Sequence, residues 1–252
     1  MMADRPALQL DAVGLQIGGA RILHDVTFQV ATGEMVGVIG PNGAGKTTLF
    51  NIVSGVMIPT SGRVLLQGDD VTSRKVHQRA RVGLGRTFQT SSVFPSLTAR
   101  ENVRLAAQAK LGGAVSPWRF PRAEDDAHGV ADRCLAEVGL AHHAASEAGV
   151  LSHGDKRKLE IAMLLATEPE VVLLDEPMAG VGSGDVAGLV EVIRRLHESG
   201  RTVLMVEHHM EVLLGLVDRV AVMHHGELLA IDTPKAVMAD PAVQKAYLGE
   251  TV

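Results

Sequence analysis

Gly40-Pro41-Asn42-Gly43-Ala44-Gly45-Lys46-Thr47 lies between a short apolar run, Met35–Ile39, and a segment of helical character, Thr47–Val53. It fits G-x-x-x-x-G-K-[S/T] at every fixed position. The chemistry needs these residue types. Glycines let backbone N–H groups turn inward onto phosphate oxygens with no Cβ in the way. The helix that follows brings the positive end of its dipole to the same point. Lys46 is placed to reach the terminal phosphates of a nucleotide, and the Thr47 hydroxyl to hold Mg²⁺. Gly40, Pro41, Asn42, Gly43, Ala44, Gly45, Lys46, Thr47 and Thr48 are therefore the candidate nucleotide-binding residues. The plain alternative is a glycine-rich turn with a surface lysine. The strand before and the helix after weigh against it.

Working outward, Val171-Val172-Leu173-Leu174-Asp175-Glu176 is an apolar strand that ends in two carboxylates. Strand ends of a parallel sheet collect ligands at one edge, so these acids belong near the phosphate loop. Asp175 is expected to hold Mg²⁺ through water, and Glu176 to orient or deprotonate an attacking water. Acids at strand ends are common; their place after a phosphate loop gives this pair its meaning.

The 252 residues suffice for one α/β domain, and 46% of them are hydrophobic. Aromatic residues make up only 3%, so the core is built from Ala, Val, Leu, Ile and Met. A formal charge of −5 gives no support for nucleic-acid binding. Cys134 is the only cysteine, which excludes an internal disulfide and suits a reducing compartment. Met1–Gln9 lacks a signal-peptide layout, and no stretch approaches the roughly 18 apolar residues that span a bilayer. Work at a membrane is thus expected from its soluble side, through a partner.

Strands are expected at Leu8–Ile17, Val26–Val30, Met35–Ile39 and Arg63–Gln67. Helical patches, Ala99–Ala109 and Ala127–Val138, flank a Pro/Gly-rich insert, residues 112–121. Then come a helix (Asp155–Ala166), a strand (Val171–Leu174), a helix (Asp185–Glu198) and strands Thr202–Val206 and Arg219–Met223. Alternation of this kind points to a parallel sheet flanked by helices.

Between the loop and the acid pair stands Leu151-Ser152-His153-Gly154-Asp155. It resembles the signature motif of ABC ATPases, usually Leu-Ser-Gly-Gly-Gln. Gln89, in Arg86-Thr87-Phe88-Gln89, sits where that family has its Q-loop glutamine, and His208, after a strand, where it has its switch histidine. Phe94-Pro95-Ser96-Leu97-Thr98, Asp175-Glu176-Pro177-Met178-Ala179-Gly180 and Ala246-Tyr247-Leu248-Gly249-Glu250 are similar to ATPase subunits of branched-chain amino-acid and urea importers.

The resemblance implies a P-loop NTPase fold of the ABC type over residues 1–252. It has a mostly parallel core sheet, an N-terminal antiparallel β subdomain and a helical subdomain near 90–165. It also implies ATP and Mg²⁺ as ligands and hydrolysis coupled to transport. Two ATPase subunits, identical or different, face each other head to tail. Each ATP lies between one chain's phosphate loop and the other's Ser152 and Gly154. Gln89 contacts Mg²⁺ or the water, and His208 the γ-phosphate. Polytopic permease subunits are the direct partners, around residues 89–101, and a solute-binding protein an indirect one; nucleic acid is not a partner. The implied location is peripheral, at the cytoplasmic face of the inner membrane.

Four positions, at three places in the chain, depart from the pattern. Ile17 stands where an aromatic residue stacks on adenine, leaving only apolar contact with the base. His153 and Asp155 replace Gly and Gln of the signature, and Gly182 replaces an aspartate. Asp185 then reads as a cap of the next helix. A cap role for Ser152, with Asp155 three residues on, is compatible with phosphate binding. Of the eleven histidines, His142, His143, His209, His224 and His225 are read as surface or structural residues. A repair or ribosomal ABC ATPase is disfavoured by the single cassette and the absent coiled coil, and a P-loop kinase or GTPase lacks Leu151–Asp155.

Overall fold

The computed structural model describes residues 5–87, 93–111 and 126–248. Gln89, the insert at 112–121 and the Gly249-Glu250 end of the tail lie outside the described residues. In chain order the strands are β1 (Leu8–Ile17), β2 (Ala20–Val30), β3 (Met35–Ile39), β4 (Ser61–Leu66), β5 (Asp69–Asp70), β6 (Leu84–Arg86), β7 (Val171–Asp175), β8 (Thr202–Val206), β9 (Arg219–His224) and β10 (Glu227–Asp232). The helices are α1 (Lys46–Ser54), α2 (Val76–Arg81), α3 (Ala99–Leu111), α4 (Asp126–Glu137), α5 (His153–Leu165), α6 (Ser183–Glu198), α7 (Met210–Leu214), α8 (Pro234–Ala239) and α9 (Pro241–Leu248).

The chain forms two compact units. The first takes in residues up to Arg86, Glu170–Glu176 and everything from Leu196 onward. It holds two sheets. An antiparallel one has the order β2-β1-β4-β5, and a six-stranded one the order β10-β9-β3-β8-β7-β6. In the second sheet β9, β3, β8, β7 and β6 run parallel, and β10 joins antiparallel at the edge. Every residue of β3, β7 and β8 is buried. That is why these strands read as unbroken apolar runs rather than alternating ones. Leu49, Phe50, Ile52 and Val53 of α1 share one apolar cluster with residues of both sheets.

The second unit comprises Thr87–Pro169 and Pro177–Arg195. Its α3, α4 and α5 pack on one another. Asn102, fully buried, is its internal fastener. Its carbonyl oxygen accepts from Phe94 N at 2.7 Å, and its amide donates to the carbonyls of Phe94 and Thr98.

Strand β2 begins at Ala20, earlier than the Val26 expected, because it continues the hairpin with β1: Ile17 faces Ala20 and Leu15 faces Leu23. Strand β4 begins at Ser61 instead of Arg63, and α5 starts at His153 instead of Asp155. Strand β6 and β10 carry no strong periodic signal; their pairing is supplied by β7 and β9.

Helix α1 has no basic residue in its own last turn. Arg79, fully buried, supplies the charge from α2. Its guanidinium donates to the carbonyls of Ile52 (2.6 Å), Val53 (2.7 Å), Thr72 (2.8 Å) and Arg74 (3.0 Å). Burial pushes its pKa down to about 10, which leaves it charged at neutral pH. Arg79→Met removes these four bonds in a buried place, and of the four carbonyls Ile52 keeps a donor in the Gly55 N–H, at 3.1 Å. The expected cost is about 3 kcal/mol or more, read as a lower urea midpoint with an unchanged slope.

Candidate functional site

Within the first unit, three parallel strands end at one edge of the sheet. Val38 of β3 and Asp175 of β7 both pair in register with Val206 of β8. The residues just beyond those ends, Gly40, Glu176 and Glu207-His208, are thereby delivered to a common rim. The phosphate loop follows β3, the acid pair closes β7, and His208 follows β8.

The loop is held close to its neighbours. Gly40 has φ +151°, and a Cβ there would lie 2.1 Å from the Met223 carbonyl oxygen, so only glycine fits. Helix α1 starts after Gly45, and no side chain caps its first turn. Its N-terminal N–H groups are therefore available to an anion. The Lys46 ammonium arches over the loop and donates to the carbonyls of Gly40 (2.6 Å) and Pro41 (2.8 Å). Thr47 is exposed on the first turn, and Thr48 is half-buried. The Thr47 hydroxyl and the buried Asp175 carboxylate are hard oxygen donors, a set that fits Mg²⁺.

Glu176 adopts φ +49°, a left-handed conformation that a side chain enters only when its surroundings hold it there. Its N–H donates to the Val206 carbonyl at 2.9 Å. Its carboxylate meets His208 Nε2 at 2.9 Å. A carboxylate only accepts, so Nε2 is the donor in this contact. Next to it, His209 Nδ1 and Glu207 Oε1 pair at 2.9 Å. Ile17 closes β1 and is 54% exposed, which leaves its apolar side chain open to a ligand.

In the second unit the Leu151–Asp155 block opens α5. Ser152 is the N-cap, its hydroxyl accepting from Asp155 N at 3.1 Å, as the capping pattern implies. The same hydroxyl donates to Asp185 Oδ2 at 3.3 Å. Asp185 is not the cap expected. Its N–H already donates to the Gly182 carbonyl inside the first turn of α6, which starts at Ser183. Its side chain lies over Gly154 instead, where a Cβ would come within 2.5 Å of Asp185 Cβ. No local sequence signal distinguishes this contact from a cap, because it joins residues 33 apart.

The sequence matches the ABC transporter family model over residues 23–179. It is 37% identical to the high-affinity branched-chain amino acid transport ATP-binding protein LivG of Escherichia coli (strain K12), over 98% of this chain and 99% of that one. The chain belongs to the ABC transporter ATP-binding family. It is an ATPase subunit that binds ATP and hydrolyses it to power transport. A second model, for the branched-chain amino acid ATP-binding cassette transporter, matches residues 227–252. The lipopolysaccharide export ATP-binding protein LptB of Acidithiobacillus ferridurans is 38% identical, over 91% of each chain. Among solved structures, the ADP conformation of the cassette MJ1267 superposes with a TM-score of 0.85 at 29% identity, covering 97% of this chain and 99% of that one. The dimeric, ADP- and phosphate-bound cassette MJ0796 gives a TM-score of 0.74 at 25% identity, covering 90% and 98%.

Gly154→Ala tests the close packing in the signature block. Overpacking against Asp185 is expected to cost about 1–3 kcal/mol, seen as a lower melting temperature.

Proposed function

We propose that this subunit energises import of branched-chain amino acids, or of a related small solute such as urea, by hydrolysing Mg²⁺-ATP in a head-to-tail dimer. The observation that carries the chemistry is the shared rim at which β3, β7 and β8 end. The C-terminal match over residues 227–252 supports the solute class. Overall identity does not choose it, being 37% to LivG and 38% to LptB.

In this reading the phosphates of ATP lie on the Gly40–Thr48 cradle, with the base against Ile17. Lys46 exchanges its loop carbonyls for β- and γ-phosphate oxygens. Thr47, Asp175 and Gln89 hold Mg²⁺, which neutralises charge on the phosphates when bound. Glu176 orients the attacking water and accepts its proton. The water oxygen forms its bond to the γ-phosphorus as the bridging P–O bond breaks, and ADP leaves with the electron pair. The His208 Nε2–H turns from Glu176 to a γ-phosphate oxygen. Catalysis is thus positioning and charge neutralisation.

Ser152 and Gly154 serve the ATP of the second subunit, identical or not; the dimeric MJ0796 cassette supports such pairing. ATP bridges the two chains and hydrolysis removes the bridge, which shifts the population between closed and open dimers. Among the described residues no helix is long and apolar enough to cross a membrane. The proposed station is peripheral, on the cytoplasmic face of the inner membrane, against polytopic permease subunits served by a solute-binding protein. The permease contact is assigned to residues 89–101. In that stretch Phe94 is 54% exposed, and Val150 nearby is 76% exposed. Backbone bonds from Ala148 to Leu97 and from Gly149 to Pro95, both 2.9 Å, make their segments one platform.

Glu176→Gln keeps the size of the side chain but cannot take a proton. Turnover is expected to fall by about two orders of magnitude or more while ATP binding persists. Wild-type turnover in this variant removes Glu176 from the proposed role. Photocrosslinkers at Phe94 and Val150, used in native membranes, are expected to capture a polytopic protein. Capture of soluble proteins only counts against the docking assignment.

A further inference from the structure

Arg86 stands in the sequence as a neighbour of the Q-loop, yet its side chain bonds both to the acid pair and to α1. It closes β6, the edge strand that runs parallel to β7, with Arg86 level with Leu173. From there its guanidinium divides its work. Nη1 donates to Ser54 Oγ at 2.7 Å, to Asn51 Oδ1 at 2.8 Å and to the Phe50 carbonyl at 3.4 Å. Nη2 donates to Asp175 Oδ2 at 2.7 Å. The two side chains are 9% and 1% exposed, so the pair is shielded from water and from salt.

The groups on the Nη1 side all belong to the last turns of α1, the helix whose first turn forms the phosphate cradle. The group on the Nη2 side is the carboxylate at the end of β7. One planar fork thus spans the far end of the phosphate helix and the acid. A lysine, with a single ammonium, lacks the two divergent nitrogens that this requires.

We propose that Arg86 is a positioning residue for the metal side of the nucleotide site: it fixes the Asp175 carboxylate relative to α1, and so relative to Lys46 and Thr47. The inference rests on the reading of Asp175 as a metal-side acid. Arg86 does not touch the nucleotide; it acts through Asp175. Outer partners of a ligating carboxylate set its orientation, and their loss costs about 10–100-fold in metal affinity.

The test uses the full-length chain with Arg86→Met, Arg86→Lys, Asp175→Asn and the Arg86→Met/Asp175→Asn double variant. Binding of a fluorescent ATP analogue is titrated with Mg²⁺ and also measured in EDTA, and melting temperatures are recorded without nucleotide. Arg86→Met is expected to raise the half-saturating Mg²⁺ concentration about ten-fold or more, while nucleotide binding in EDTA stays within about two-fold. Arg86→Lys keeps the charge without the fork and is expected to fall between Arg86→Met and wild type. In the Asp175→Asn background the further effect of Arg86→Met on Mg²⁺ is expected to vanish. A lowered melting temperature with an unshifted Mg²⁺ midpoint makes Arg86 a structural tie only and overturns the proposal. If Arg86→Met does not fold, the Mg²⁺ midpoint of Arg86→Lys decides in the same way. A wild-type midpoint in Asp175→Asn instead overturns the assignment of Asp175 itself, and the proposal with it.

Discussion

Parallel register among β3, β8 and β7 is the constraint from which the site follows. Val38 and Asp175 are both level with Val206, so three chain segments far apart in sequence end at one height. A shift of one residue in any of them would turn its buried side chains to the other face. The register is protected by the burial of all fifteen residues of these strands, and by N–H groups that continue the pairing past the strand ends, as Glu176 does to Val206. The geometry of the proposed site is a by-product of core packing. The side chains proposed to do chemistry start where the apolar runs stop.

Helix α1 makes the second half of the arrangement. Its two ends carry opposite partial charges. The N-terminal end has no side-chain cap, and the C-terminal end is buried, where bare carbonyls are costly. Two arginines from other elements solve that problem. Arg79 takes the carbonyls of Ile52 and Val53, while Arg86 takes the side-chain oxygens of Asn51 and Ser54 and, at 3.4 Å, the Phe50 carbonyl. Electrostatics that stabilise the fold and electrostatics that prepare the phosphate site therefore act on the same nine-residue helix.

Much of this was legible before any coordinates. The phosphate loop and the Val171–Glu176 run announce themselves locally, because each combines a strand, a turn and a reactive group within a few residues. The order of motifs then carries Ser152, Gly154 and His208 as a set. What stayed hidden depends on contacts across long separations. Arg86 and Asp175 are 89 residues apart, and Asp185 and Ser152 are 33 apart. Residues of the same types occur on any surface, so no pattern marks them. The short elements β5, β6 and α7 carry no clear sequence signal for a related reason. Each is stabilised by what it pairs or packs with rather than by its own periodicity.

The Asp185 carboxylate is tethered beside the start of α5, one hydrogen bond from the Ser152 hydroxyl. A tethered group acts at a high effective concentration. Any external anion that comes to this helix start enters as a substitute, and its apparent affinity is the difference between two associations. Such an exchange is easily reversed, since the departing guest leaves its successor already in place.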